Sequence, residues 1–339
     1  MRAAIIEGAY EMRVGEVDTP RLGAGEVLVA VGAAGVCAGD LHIYHGRNPY
    51  ATLPQICGHE VAGTIAEVAA GAGGSGGPAP GERVVVEPFL GCGQCYPCRI
   101  GKSNCCVRLT ILGVNRAGGY AEFLTAPATH VHRIPETMSD SLASFTEPVA
   151  IAVQSCRRGG VRAGDVALVL GCGPIGLALL EVARHRGAAV IAADVLPERL
   201  EVAAQLGADA LLADDGLPRR ILDRTNGEGA HVVIEATGNV RALEQAAEMV
   251  AYGGRIVVVG LMKAGVEAKF PALDFTRKEM TVVGSRASVG CFPESLALLS
   301  SGAIRFPRVA SEYSMWEAPG VFADLARNPA GVNKAVLLV

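Results

Sequence analysis

Residues 166–176 run Val166-Ala-Leu-Val-Leu170-Gly171-Cys-Gly173-Pro-Ile-Gly176, and their reading decides the fold. Five consecutive apolar residues are the mark of a strand buried on both faces. The G-x-G-x-x-G step behind them is a weak signal alone. Here it follows a strand and opens an apolar helix, Ile175 to Arg186, which is the context that gives it meaning. A helix N-terminus with free N–H groups seats a pyrophosphate, so Gly171, Gly173, Pro174, Ile175 and Gly176 are expected beside a dinucleotide.

Outward from this turn the same rhythm repeats. Further buried strands are expected at 189–193, 210–213, 231–235, 255–259 and 280–283, alternating with helices, one of which starts at Pro197. Six strands in this order predict an α/β doubly wound parallel sheet. Asp194, 18 residues after Gly176, closes the second strand, where a carboxylate binds the adenosine ribose and repels a 2′-phosphate. That favours NAD over NADP, while Arg199 offers the competing possibility of covering the adenine or accepting that phosphate.

The first half is different. Short apolar runs such as Glu26–Val31 and Arg83–Glu87 are broken by Gly and Pro without helical periodicity, which reads as a β-rich domain with many loops. The small-residue stretch 69–80 suits an exposed loop. A helix over 293–301 and the tail 334–339 exceed what a nucleotide domain needs and are expected to return to the first domain, giving domains at 1–146 with 287–339 and at 147–286.

Composition narrows the partners. Thirty basic against 34 acidic residues, net charge −4, leave no broad positive field for nucleic acid or an anionic membrane. There is no apolar run long enough to span a bilayer and no signal-peptide pattern at the N-terminus, so a cytoplasmic protein acting on small molecules is expected.

Of ten cysteines, five gather in one short region, the pattern of metal binding more than of disulfides. Cys92, Cys95 and Cys98 are spaced by three, and Cys106 follows with Cys105 as an alternative. Four thiolates on one loop close a tetrahedron around a structural zinc. Elsewhere stand Cys37-Ala-Gly-Asp40-Leu-His42, Gly58-His59-Glu60 and Thr146-Glu147-Pro148. Each is unspecific alone. Together they supply the thiolate, imidazole and carboxylates of a zinc site that keeps a position open.

In this order, through GVCAGD, GHE, the four-cysteine loop, EPVA and the nucleotide turn, the chain resembles the zinc-dependent medium-chain alcohol and polyol dehydrogenases, in the style of the sorbitol and threonine dehydrogenase branch. The resemblance implies a Rossmann-type nucleotide domain beside a GroES-like catalytic domain, and a homotetramer or homodimer joined near the sixth strand. It makes Cys37, His59 and Glu60 catalytic zinc ligands, places Glu147 where the branch has a carboxylate, and sets Asp40 behind His59. His42 matches the relay histidine. Gly39 departs from the family's Ser or Thr, so the proton is expected to reach His42 through water or the cofactor ribose. Thr237, Val259, Gly260, Leu261, Ser285 and Arg286 are implied along the cofactor.

Residues 44–50, YHGRNPY, resemble a stretch of sugar-acid 5-dehydrogenases. This makes a polyol or sugar acid the first expectation, with Arg47, Asn48 and Arg116 as contacts and Arg116 as a clamp for a carboxylate. The expected reaction oxidises a secondary alcohol to a ketone, with zinc as Lewis acid and NAD as hydride acceptor. The alternatives are a threonine 3-dehydrogenase-like activity, a zinc-free quinone or enone reductase, and a non-catalytic nucleotide-binding relative.

Overall fold

The computed structural model describes residues 1–48, 50–72, 76–328 and 331–339. Parts of the 69–80 loop and of the 44–50 stretch, at 73–75 and 49, lie outside them. The chain divides into two compact units.

The first comprises Met1–Glu147, Val289–Gly302 and Pro307–Val339. Its spine is the strand Glu26–Gly35, which pairs antiparallel with Glu60–Val68, Phe123–Pro127 and the C-terminal strand Ala335–Leu338. Register shifts at Leu28/Val29 and Val31/Ala33 bend this spine, as bulges do. Strand Arg83–Val86 extends the sheet. Alternate residues of these strands pack with Ile43, Tyr44, Tyr120 and Phe322 in one core. The tail therefore returns to this unit, where Val336 pairs with Gly35, and the helix Phe292–Ser300 belongs here too.

The second unit is Pro148–Ser288 with Ala303–Phe306. Its six strands, Val166–Leu170, Ala189–Asp194, Asp209–Leu212, Ala230–Glu235, Val250–Val258 and Thr281–Gly284, are all parallel and pair in spatial order 3-2-1-4-5-6. That is the doubly wound order whose ligand crevice lies at the carboxyl ends of the strands, beside the first. The fold class read from the nucleotide turn is the one observed. The central strand Leu168–Leu170 is completely or almost completely buried, which explains why it reads as an unbroken apolar run. The detached segment 303–306 is held by Glu181, whose buried carboxylate accepts the N–H groups of Arg305 (2.7 Å) and Phe306 (2.8 Å).

Candidate metal and dinucleotide sites

In the cysteine loop the four thiols expected from spacing do converge: Cys92, Cys95, Cys98 and Cys106 form one group. The sulfur of Cys95 lies 3.4 Å from that of Cys98 and 3.7 Å from that of Cys106. Tetrahedral zinc with Zn–S bonds of about 2.3 Å sets its sulfurs about 3.8 Å apart, so the loop fits the ion. Backbone N–H groups of Cys92 and Arg108 point at Cys106 Sγ, each at 3.3 Å. Hydrogen bonds from the Gln94 and Cys95 backbones bring Cys92 down to about 5, whereas loss of solvent and the neighbouring Cys95 push Cys98 up to about 11. Cys105, the alternative ligand, is exposed and outside the group. Cys105 ends the short helical turn Ser103–Cys105 and Cys106 follows it, and with three residues per turn neighbouring side chains on such a turn stand about 120° apart.

The second group is Cys37, His59 and Glu60, whose ligand atoms all lie within 4.8 Å of one another. Local structure fixes each of them. Cys37 caps the helix Ala38–Tyr44: its sulfur accepts the Gly39 N–H (3.4 Å), and Asp40 Oδ2 accepts the Cys37 N–H in return (2.9 Å). Glu60 opens its strand opposite Gly35, and a Cβ at Gly35 would collide with the Glu60 carboxylate. Glycine there is what admits the acid.

Asp40 is wholly buried and aimed by two donors, the Cys37 N–H and the hydroxyl of Tyr120 (2.7 Å). Its other oxygen faces His59 Nδ1 at 3.4 Å, which leaves Nε2 for a metal. Burial opposes ionisation of Asp40, but His59 beside it holds the carboxyl below its usual range. Burial likewise opposes protonation of His59, yet Asp40 and Cys37 raise it well above its ordinary value. The site thus favours a cation between imidazole and thiolate, and a divalent ion competes with the proton for that place. The donor set fits zinc.

Two further buried groups complete the surroundings. Lys334 Nζ donates to Glu60 Oε1 at 2.6 Å, a partnership invisible in sequence. Glu147 stays outside the tight three-residue group. Burial pushes it up to about 7, with His59 and Lys334 opposing and Glu60 adding to the rise, so the neighbouring charges reach it although it shares no ligand position.

In the second unit, Gly171, Gly173, Asp194, Arg199 and Thr237 line a cavity of about 410 Å³. Gly171 has φ +97°, and a Cβ at Gly176 would collide with the Gly171 carbonyl, so the helix Pro174–His185 can start hard against the turn only with glycine there. Asp194 accepts the N–H groups of Cys172 (2.7 Å) and Leu196 (3.0 Å) and stands 3.7 Å from Arg199. Glu235 was missed. Its side chain accepts N–H groups from Thr237 (2.6 Å) and Gly238 (2.9 Å), while its carbonyl accepts those of Val259 and Gly260, tying two of the implied cofactor loops together. Leu261 is 90% exposed and Arg286 is also exposed, whereas Ser285 bonds Ser155 at 3.0 Å. None of these three lines the cavity.

Nη2 of Arg116 donates to Glu26 (2.9 Å) and to Thr125 Oγ1 (3.2 Å), which ties one arm of the fork to the strand spine. Asn48 Oδ1 accepts the Tyr50 N–H (2.9 Å). Arg47 is exposed and makes no ion pair among the described residues.

Residues 23–136 match the alcohol dehydrogenase GroES-like domain, and residues 174–301 the zinc-binding dehydrogenase domain. L-galactonate-5-dehydrogenase from Escherichia coli strain K12 is 33% identical over 88% of this chain and 85% of its own. Among solved structures, alcohol dehydrogenase TADH from Thermus sp. ATN1 superposes with TM-score 0.93 at 34% identity, covering 100% of both chains. The alcohol dehydrogenase RspB from Escherichia coli CFT073, complexed with NADH, gives TM-score 0.92 at 32% identity, covering 100% of this chain and 99% of the other. The closed thiolate loop, the open Cys-His-Glu group and the six-stranded nucleotide unit are thus found together along the whole length that these relatives share, and the chain belongs to the zinc-binding alcohol dehydrogenase family.

Proposed function

We propose that this zinc-dependent dehydrogenase oxidises a secondary alcohol of a polyol or sugar acid to a ketone, with NAD as hydride acceptor. The observation that carries the site assignment is the convergence of Cys37, His59 and Glu60 with Asp40 aimed at His59 from behind. Zinc bound there supplies a Lewis acid that acidifies the substrate hydroxyl. Cys37 and Glu60 bring negative charge to the site, Asp40 fixes the tautomer of His59, and Lys334 holds Glu60 in register. Glu147 stands in reserve as a neighbouring carboxylate. His42, exposed on the same short helix, is the proton exit. The thiolate loop holds a second, structural zinc.

NAD is favoured because Asp194 presents a carboxylate to the cavity beside the nucleotide turn. Gly171, Gly173, Pro174, Ile175 and Gly176 form the pyrophosphate seat, with Thr237, Val259, Gly260, Leu261, Ser285 and Arg286 along the rest of the cofactor. The sugar-acid class rests on the relative that acts on L-galactonate. Arg116, with one arm of its guanidinium on Glu26, and the exposed Arg47 are the guanidinium groups offered to a carboxylate, and Asn48 shapes the same segment. The strand Thr281–Gly284 ends its sheet, and Tyr252 and Leu273 of the same unit are 64% and 62% exposed, which supports a homo-oligomer built on this edge. Among the described residues no helix is long and apolar enough to cross a membrane. All ten cysteines are free thiols, which supports a reducing, cytoplasmic setting.

The decisive test is a panel of polyols, hexonates and amino alcohols with NAD and with NADP, following absorbance of the reduced cofactor, alongside metal analysis. About two zinc ions per chain and turnover of a polyol or hexonate with NAD support the reading. Absence of zinc, or turnover confined to enones or quinones, overturns it.

A further inference from the structure

Glu235 is a wholly buried acid that belongs to neither metal group. It ends the strand Ala230–Glu235. Three donors meet on one of its carboxylate oxygens: Oε1 accepts the N–H groups of Thr237 (2.6 Å) and Gly238 (2.9 Å) and the hydroxyl of Thr237. The other oxygen, Oε2, has no hydrogen-bond partner among the described residues. A buried polar atom left unpaired costs stability, so stability alone does not account for an acid here. What Oε1 orders is one wall of the nucleotide cavity. The Thr237 hydroxyl accepts the Asn239 N–H (2.9 Å), and Asn239 Oδ1 accepts the Arg241 N–H (2.9 Å) where it caps the helix Val240–Met249. Ala236, Thr237, Asn239, Arg241, Ala242 and Gln245 all line that cavity. The methyl of Thr237 is placed as firmly as its hydroxyl, for a Cβ at Gly171 would come within 2.9 Å of Thr237 Cγ2.

We propose that Glu235 is a positioning residue of the dinucleotide site, which acts through Thr237 and Asn239 to hold the wall 236–245 against the nucleotide turn. A hydroxyl has a single proton, and that of Thr237 is given to Glu235. None is left for a phosphate oxygen of the cofactor. Thr237 therefore serves the cavity by its shape and by relaying the order imposed by Glu235, while its methyl rests on the turn at Gly171. The inference rests on the reading of this cavity as the seat of NAD.

Fluorescence titration of the zinc-loaded protein with NADH tests it, with the denaturation midpoint measured alongside. Glu235→Ala removes the acceptor of three donors, and Kd for NADH is expected to rise at least about tenfold, the scale of hydrogen bonds lost at a charged group. Glu235→Gln keeps a carbonyl oxygen in the place of Oε1, so binding is expected within about threefold of wild type. Thr237→Val keeps the methyl and cuts the link from Glu235 to Asn239, for a rise of about fivefold. Both substitutions break one chain of contacts, so they should not add: Glu235→Ala/Thr237→Val is expected within about twofold of Glu235→Ala alone. The proposal is overturned if Glu235→Ala lowers the denaturation midpoint and leaves Kd for NADH unchanged, because the acid is then structural only. It is equally overturned if Glu235→Gln binds as weakly as Glu235→Ala, or if the two effects multiply, because Thr237 then meets the cofactor on its own account. Should Glu235→Ala fail to fold, Glu235→Asp, whose carboxylate stops one methylene short, takes its place in the same cycle and under the same criteria. A wild type that binds no NADH overturns the reading of the cavity itself, before any variant is compared, and the proposal falls with it.

Discussion

Lys334 and Glu60 are separated by 274 positions in sequence and by 2.6 Å in the fold, and both are buried, with 4% and 1% exposure. Two charges removed from water stabilise little by themselves, but removing one partner leaves the other uncompensated. Lys334→Met should therefore destabilise the zinc-free protein by about 3–5 kcal/mol, read as a lowered denaturation midpoint. The double variant Lys334→Met/Glu60→Gln should recover much of that loss. If the single variant is as stable as wild type, Glu60 does not depend on Lys334. On the proposed reading, cofactor choice turns on Asp194. Asp194→Ser removes the carboxylate facing the cavity and frees Arg199, so kcat/KM for NADP relative to NAD should rise at least about tenfold, some 1.4 kcal/mol of differential binding. Unchanged selectivity in steady-state kinetics would remove Asp194 from that role.

At the scale of elements, the cysteine loop has little apolar surface of its own, and its geometry is that of a metal cage. Its pH dependence follows from the thiols displaced furthest from their ordinary value. Cys92, near 5, is already thiolate at neutral pH, whereas Cys98, near 11, is protonated without metal. Zinc binding at pH 7 must release the Cys98 proton, so affinity should rise with pH through the neutral range. It should collapse as pH falls towards 5, where Cys92 also takes up a proton. Chelator competition at pH 6, 7 and 8 measures this, and an affinity that is flat over the range would contradict the assignment. This loop was legible in sequence because its ligands are local and their spacing is the geometry. The same holds for the nucleotide turn and for Asp194, one strand further on. Tyr120 and Lys334 were not legible, since each acts through a contact made only when distant parts of the chain meet, and Glu235 was not because its carbonyl meets Val259 and Gly260 only once its strand is paired. The ion pair of Arg116 was hidden for the same reason. Its sequence neighbours suggested a substrate, while its partner Glu26 is 90 positions away.

For the whole molecule, six parallel strands could be read from apolar runs because a sheet covered on both faces leaves no alternation to decode. The first unit resisted that reading. Its spine strand carries bulges and takes its partners from 25 residues away, at Glu60, to 305 away, at Leu338, and periodicity does not record which strands pair. The division into two units, each with its own core, has a testable consequence. Both ligand groups, the four thiols and Cys37-His59-Glu60, lie in the first unit, while the cavity lined by Gly171, Asp194 and Thr237 is built wholly by the second. Removing zinc should therefore abolish dehydrogenation without abolishing cofactor binding. Chelator-treated protein is expected to bind NADH with a Kd within about tenfold of the zinc-loaded enzyme, a change of no more than about 1.4 kcal/mol, by quenching or enhancement of nicotinamide fluorescence. The open site should lose its metal first, since it offers three protein ligands where the loop offers four. Partial chelation should thus leave about one zinc per chain in an inactive protein that still binds NADH. If instead NADH binding disappears together with the first zinc, the nucleotide unit depends on the metal-bearing one for its fold, and the independence of the two cores is wrong.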